Sequence, residues 1–142
     1  MAAEEPGDLH PIFTGIWKLI RGESDFGFLP PPELRIDTIT HEEPYLSIET
    51  RQKDANGDIT VVRDLRIAGE AVPIMIRGRS RLVRAFWDET VLVVETHSEV
   101  SGTPRHITDR RVLDAGSEWM TIERLHEQPG GAVHQRLRMR RR

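Results

Sequence analysis

The side chains with the widest chemical reach in this sequence are six histidines, several acids on the later alternating runs, and an arginine-rich C-terminus. His97, His106, His126 and His134 fall on or near successive late runs, so antiparallel pairing could bring two imidazoles together. No compact His-x-His or Glu-x-x-His unit accompanies them, and zinc centres ordinarily show such spacing. The reading is no metal, and no single histidine stands out as a haem ligand.

Hydrolysis or group transfer needs a nucleophile beside a base that a third group orients. Ser98, Ser101 and Ser117 all fall at run ends or turns without a nucleophile elbow, and no glycine loop is fit to cradle a phosphate. Glu95, Glu99, Asp109 and Glu123 form an inward acid pair only if strand registers cooperate. On antiparallel strands such acids are more often solvated partners of arginine. Cysteine is absent, which excludes disulfides, thiolate metal sites and thiol nucleophiles. No catalytic residue is assigned.

These groups need a scaffold, and 142 residues make one domain. A composition 37% hydrophobic and 30% charged suits a sheet with one wet face better than a thick helical core. The formal charge of −3 creates no field for nucleic acid or an anionic membrane, so neither is expected as a partner. No apolar run is long enough to span a membrane, and the N-terminus lacks the basic and apolar segments of a signal. The expected location is cytoplasmic, with an exported mature form also allowed.

Residues 1–11 are acidic, contain two prolines and read as an extended arm, leaving 12–142 as the folded domain. A first strand is predicted from about Thr14 to Ile20. The loop from Gly22 to Pro32 then carries Phe26, Phe28 and Leu29, which must cover something: a plug on the core, or a flap over a ligand. From Leu34 the period becomes two, with Arg35, Asp37 and Ile39 on one face and Leu34, Ile36 and Thr38 on the other. Leu46, Ile48 and Thr50 repeat it, and Asn56-Gly57 marks a tight hairpin. Ile59, Val61, Leu65 and Ile67 follow, interrupted by Arg63. That interruption reads as a slip of register or a bulge, and otherwise as a buried cation awaiting an anion.

Pro73 places Val72–Ile76 at a sheet edge or strand start. Arg79 to Trp87 carries large groups on both faces, and the very apolar run from Val91 is expected in a central strand. Further runs cover His106–Leu113, Glu118–Glu127 and Val133–Met139, and no stretch makes a convincing helix. The fold class is all-β: a single antiparallel up-and-down barrel of about 8–10 strands, closed so that no edge is exposed. Closure sets the first strand beside the last, and Glu4, Glu5 and Asp8 near Arg140, Arg141 and Arg142 as a seam clamp.

Phe13-x-Gly15-x-Trp17-Lys18-Leu19 resembles the opening strand of the calycin barrels, lipocalins and intracellular lipid-binding proteins alike. Ser24-Asp25-Phe26-Gly27, followed by Pro30-Pro31-Pro32, is similar to a group of bacterial lipocalin-like domains with no assigned function. The proline triplet departs from the intracellular proteins, since it leaves no room for their helix-turn-helix lid. The resemblance implies non-enzymatic binding or transport of a small hydrophobic or amphipathic ligand in the barrel interior. It also implies that a basic side chain of the last strand packs on the Gly-x-Trp indole or meets a ligand carboxylate. There Val133, Gln135, Leu137 and Met139 alternate with His134, Arg136, Arg138 and Arg140. Arg136 or Arg138 takes that role, unless the basic row is simply the outer face.

The candidate ligand-binding residues are then Trp17, Phe28, Phe86, Trp119, Arg136 and Arg138, with no cofactor and no metal. One alternative is an enzyme of isomerase or hydratase type using the same cavity, marked by His97 with Glu95 or Glu123 lining a pocket. Another is a ligand-free interaction module, its interior filled by Phe86, Trp87, Trp119 and Met120. A homodimer is allowed by each.

Overall fold

The computed structural model describes residues 10–142. Ten strands follow one another: β1 (Gly15–Leu19), β2 (Leu34–Glu42), β3 (Tyr45–Asp54), β4 (Gly57–Arg66), β5 (Val72–Ile76), β6 (Arg79–Asp88), β7 (Val91–Val100), β8 (Thr103–Leu113), β9 (Trp119–Gln128) and β10 (Gly131–Arg141). They form one antiparallel sheet in the order β4-β3-β2-β1-β10-β9-β8-β7-β6-β5. This is the predicted meander, curled until the first strand meets the last. The seam is hydrogen-bonded, with Trp17 opposite Arg141, Lys18 opposite Arg140 and Leu19 opposite Met139. The only helical element among the described residues is a 3-10 turn at Arg21–Glu23, so none is long and apolar enough to cross a membrane.

Full closure of the ladder is corrected by the structure, because β4 and β5 are the two ends of the strand order and do not pair. The reason lies in the turn between them. Ile67 N–H donates to Pro44 O at 2.7 Å and Ala68 N–H to Ala85 O at 2.8 Å, so the chain leaving β4 bonds elsewhere. Val72 then pairs with Val83, which lays β5 along β6. Pro73, with no N–H to give, sits on this marginal strand as expected. The predicted tight hairpin stands as read: Asp54 pairs with Gly57, whose φ is +104°, and Asp54 Oδ1 accepts from Asn56 N–H at 2.8 Å.

Strand alternation sorts the residues into an inner and an outer wall. Inside, the end of the barrel near the start of β1 is packed solid by Phe13, Trp17, Leu46, Leu65, Val83, Leu92, Met120 and Met139. The Trp17 indole donates to Phe13 O at 3.0 Å, and the Arg141 guanidinium covers the ring at 4.3 Å. Gly15 permits that cover, since a Cβ there would overlap Arg141 Nη1. Beside this seal His41 accepts from Phe13 N–H through Nδ1 at 3.1 Å, and its Nε2 faces Glu43 Oε1 at 3.0 Å.

The apolar run of β7 was expected centrally, but β7 lies third from the margin. Its excess comes from Val93, an outer-wall residue buried between its cross-strand neighbours Phe86 and Arg110. The acidic partners of the predicted seam clamp, Glu4, Glu5 and Asp8, lie outside the described residues. Among the described residues Arg141 donates to the backbone oxygens of Thr14 and Ser117, at 2.7 and 2.8 Å.

Candidate functional site

At the opposite end of the lumen the inner wall turns from apolar to charged. β2 contributes Arg35 and Asp37 in the same inward row as Ile39, β3 contributes Thr50 and Gln52, and β4 contributes Arg63. β8 adds Asp109 and Arg111, and β9 adds Arg124. Asp37 is the hub. It accepts from Arg35 Nε and Nη2 at 3.1 and 3.2 Å, from Thr50 Oγ1 at 3.0 Å and from Arg111 Nη1 at 3.0 Å. Beside it Asp109 takes a two-pronged bond from Arg124, at 2.7 and 2.8 Å. Buried carboxylates are stable only when paired and hydrogen-bonded in this way.

Burial alone would push the Asp37 carboxyl up, but Arg35 and Arg111 outweigh it and hold the group well below the usual carboxylate range. Asp109 is likewise opposed by burial and held low, by Arg124 first and then by Arg111 and Arg35. Burial would lower Arg124, and its bonds with Asp109 reverse the sign, leaving it raised. Arg63 is less compensated, with only the more distant charge of Asp109 raising it. Its Nη1 donates only to Thr50 Oγ1, at 3.3 Å, and no carboxylate stands within ion-pair distance among the described residues. Burial, then repulsion from Arg35 and Arg111, push its guanidinium down to about 10. Four inward guanidiniums face two carboxylates, a formal surplus of two positive charges in a site screened from water.

Two chambers lie against this cluster. One, of about 180 Å³, is bounded by the arginines together with Ile59, Val61, Ile76, Val94 and Ile107. The other, of about 190 Å³, is roofed by the loop after β1 through Phe26, Leu29, Pro30 and Pro32, over Leu19 and Leu137. Arg35, Gln52 and Arg124 border both. The loop is tied down by Asp25 pairing with Arg136 and by Gln135 Nε2 donating to Phe26 O at 3.0 Å. Arg81 stands at the rim of the first chamber, its buried Nε without a hydrogen-bond partner among the described residues.

Of the six residues expected to bind ligand, none borders either chamber. Trp17 is buried in the solid end. Phe28 is 80% exposed, its loop neighbours Phe26 and Leu29 turning inward instead. Phe86 lies on the outer wall beneath Arg84, and Trp119 lies there between Arg138 and Arg140. Arg136 is exposed beside Glu123 at 3.4 Å, and Arg138 donates to Thr121 Oγ1 at 2.7 Å. The basic row of β10 is thus its outer face, and the arginine on the Trp17 ring is Arg141.

With Phe86 and Trp119 outside, the filling that would mark a ligand-free module is not met. Glu95, His97 and Glu123 are outer-wall residues too, so the pair that would mark an enzyme does not line the lumen. The reading of Arg63 as a register slip is corrected: the β3–β4 ladder runs unbroken through Ile48 opposite Arg63. The outcome is an inward, half-buried cation. Of the late histidines, His97 and His106 face one another across β7 and β8, while His126 borders the loop-roofed chamber, where burial lowers its pKa.

No family model matches the chain, and no curated protein matches it by sequence. Solved structures do. A secretory abundant heat soluble protein from Ramazzottius varieornatus superposes with a TM-score of 0.66 at 14% identity, covering 94% of this chain and 98% of that one. The fatty-acid-binding protein of Manduca sexta gives 0.59 at 10% identity, over 90% and 98%. A Schistosoma mansoni fatty acid binding protein in complex with arachidonic acid gives 0.56 at 14%, over 92% and 96%. At such identities the likeness is one of fold, and the fold is a nearly closed, calycin-like antiparallel barrel of the kind expected from the Gly-x-Trp strand.

Proposed function

We propose that this chain binds a small amphipathic anion inside its barrel, head group on the inward arginines and apolar part under the loop after β1. The observation that carries this is Arg63, a half-buried guanidinium whose only hydrogen-bond partner among the described residues is a hydroxyl. A half-buried cation without an acid partner is costly, and a ligand carboxylate or sulfate would complete it with charge-assisted bonds. The apolar lining beside it and under Phe26 and Leu29 suits a hydrocarbon portion. Each chamber alone is below the roughly 300–1,000 Å³ of pockets for drug-sized ligands. A ligand of that size therefore occupies both, passing Arg35, Gln52 and Arg124.

Several proteins with this fold are named for lipid or fatty-acid binding, which supports the same use of the lumen here. The test compares dodecanoic acid with its methyl ester by calorimetry and by native mass spectrometry of protein purified without detergent. The expected result is binding of the acid and weak or absent binding of the ester, which keeps the chain and loses the charge. Equal affinity for the two, or none for either, would reject the proposal.

A further inference from the structure

We propose that Glu95, His97 and His106, on the outer wall, form a binding site for a divalent transition cation of the zinc type. The register supplies it: His97 of β7 stands directly opposite His106 of β8, and the rings stack with centroids 4.1 Å apart. Glu95 shares the face of His97, and one donor atom from each of the three lies within 4.8 Å of the others. Donors on one tetrahedral zinc at about 2.0–2.1 Å are about 3.3 Å apart. The two rings lie 13° from parallel, so binding turns them toward one another to bring this set to a common centre.

Two neighbouring contacts orient the donors. Arg84 Nε donates to Glu95 Oε1 at 2.7 Å, leaving Oε2 on the side of His106 Nε2, 4.0 Å away. Across the same ring, Glu127 Oε1 faces Nδ1 at 3.4 Å. A carboxylate there favours the proton on Nδ1, the arrangement that fixes the tautomer of ligating histidines. Nε2 is then left as a bare acceptor, and it is sealed from solvent with no hydrogen-bond partner among the described residues. A proton on Nε2 would not repair this, because Glu95 is beyond hydrogen-bond reach. A cation held with Glu95 and His97 would.

Two imidazoles and one carboxylate select zinc-like ions over calcium or magnesium, which take oxygen ligands. Three protein donors also leave a coordination position free, and His97 and His106 border an outer groove of about 650 Å³.

The experiment is calorimetric titration of the untagged full chain with zinc chloride in a non-chelating buffer, paired with melting curves. The expected result is about one equivalent bound and a melting temperature raised by zinc. His97→Ala and His106→Ala should each weaken binding by at least about tenfold, and Glu127→Gln by about 10–100-fold through lost orientation of the ring. All three replace outer-wall side chains, so metal-free melting should match the parent and separate lost ligation from lost folding. Absence of saturable binding, or equal binding by the His97→Ala/His106→Ala double variant, overturns the proposal. The site lies outside the lumen, and neither result depends on the occupant of the chambers.

Discussion

Arg111 of β8 donates to Asp37 of β2 at 3.0 Å across the lumen, 74 residues away in sequence and with three strands intervening in the sheet. The bond ties opposite walls of a barrel whose ladder is open at one place. Removing the carboxylate would leave Arg35 and Arg111 without their hydrogen-bonded acid partner. Asp37→Ala is therefore expected to lower the unfolding free energy by about 3–5 kcal/mol, read from urea denaturation. A loss under about 1 kcal/mol, the range of ordinary surface changes, would mean that the hub does not hold the walls together.

Acid should release the same hub. Asp37 and Asp109 have folded-state pKa values held below their unfolded ones, so their stabilising contribution is complete above the unfolded value, about 3.9, and is lost as pH falls from there toward the folded values. The urea midpoint should hold steady from neutral pH down to about 4 and then fall steeply. Asp109→Asn removes one of the two groups and should flatten that fall. An unchanged slope in the variant would show that other carboxylates govern acid unfolding.

Ligand titration separates the inner wall from the outer one. Arg63→Gln keeps a polar side chain but removes the charge, and should weaken dodecanoate binding by about 10–100-fold, the worth of a hydrogen bond to a charged group. Arg136→Ala and Arg138→Ala alter only outer-wall contacts with Glu123, Thr121 and Trp119, and should leave affinity unchanged. The opposite pattern would place the head group on β10.

Strand alternation was legible because the inner wall is mostly apolar, which is why Leu46, Ile48 and Val61 were read as one-sided rows and the meander followed. The charged cluster was not, although it leaves a signal. Arg35 and Asp37 keep phase with Ile39, and Asp109 and Arg111 keep phase with Leu113, so each pair occupies positions where the pattern asks for an apolar residue. Arg63 gives the same signal, which in sequence reads equally as a slip of register. The arginine on Trp17 lies on the expected strand but three to five positions beyond Arg138 and Arg136, because the β1–β10 register depends on how every intervening strand is staggered. Sequence spacing holds no record of that sum.

At the seam, Gly15 and Arg141 should behave as a coupled pair. A Cβ on residue 15 would displace the guanidinium from the Trp17 ring and from the oxygens of Thr14 and Ser117. Gly15→Ala is expected to cost about 1–3 kcal/mol and to change Trp17 fluorescence. In an Arg141→Ala background that cost should shrink, since the obstructing group is gone. Additive effects in the double-mutant cycle would detach the glycine from the arginine.

The open margin predicts where the barrel exchanges amide hydrogens. β5 is short, carries Pro73, pairs on one side only and runs into Arg77 and Arg79, features that discourage a bare edge from recruiting another strand. An edge strand with one ladder opens more readily than β9 or β10, each bonded on both sides. Peptides covering Val72–Ile76 should therefore exchange well before those covering β9 and β10. Arg63 of β4, Ile76 of β5 and Arg81 beside it border the same chamber, so an occupant would bridge the gap with contacts that replace the missing ladder. Saturating dodecanoate should then slow exchange in β4 and β5 more than in β9. Exchange in β5 as slow as in β9 without ligand would mean that the ladder is closed there after all.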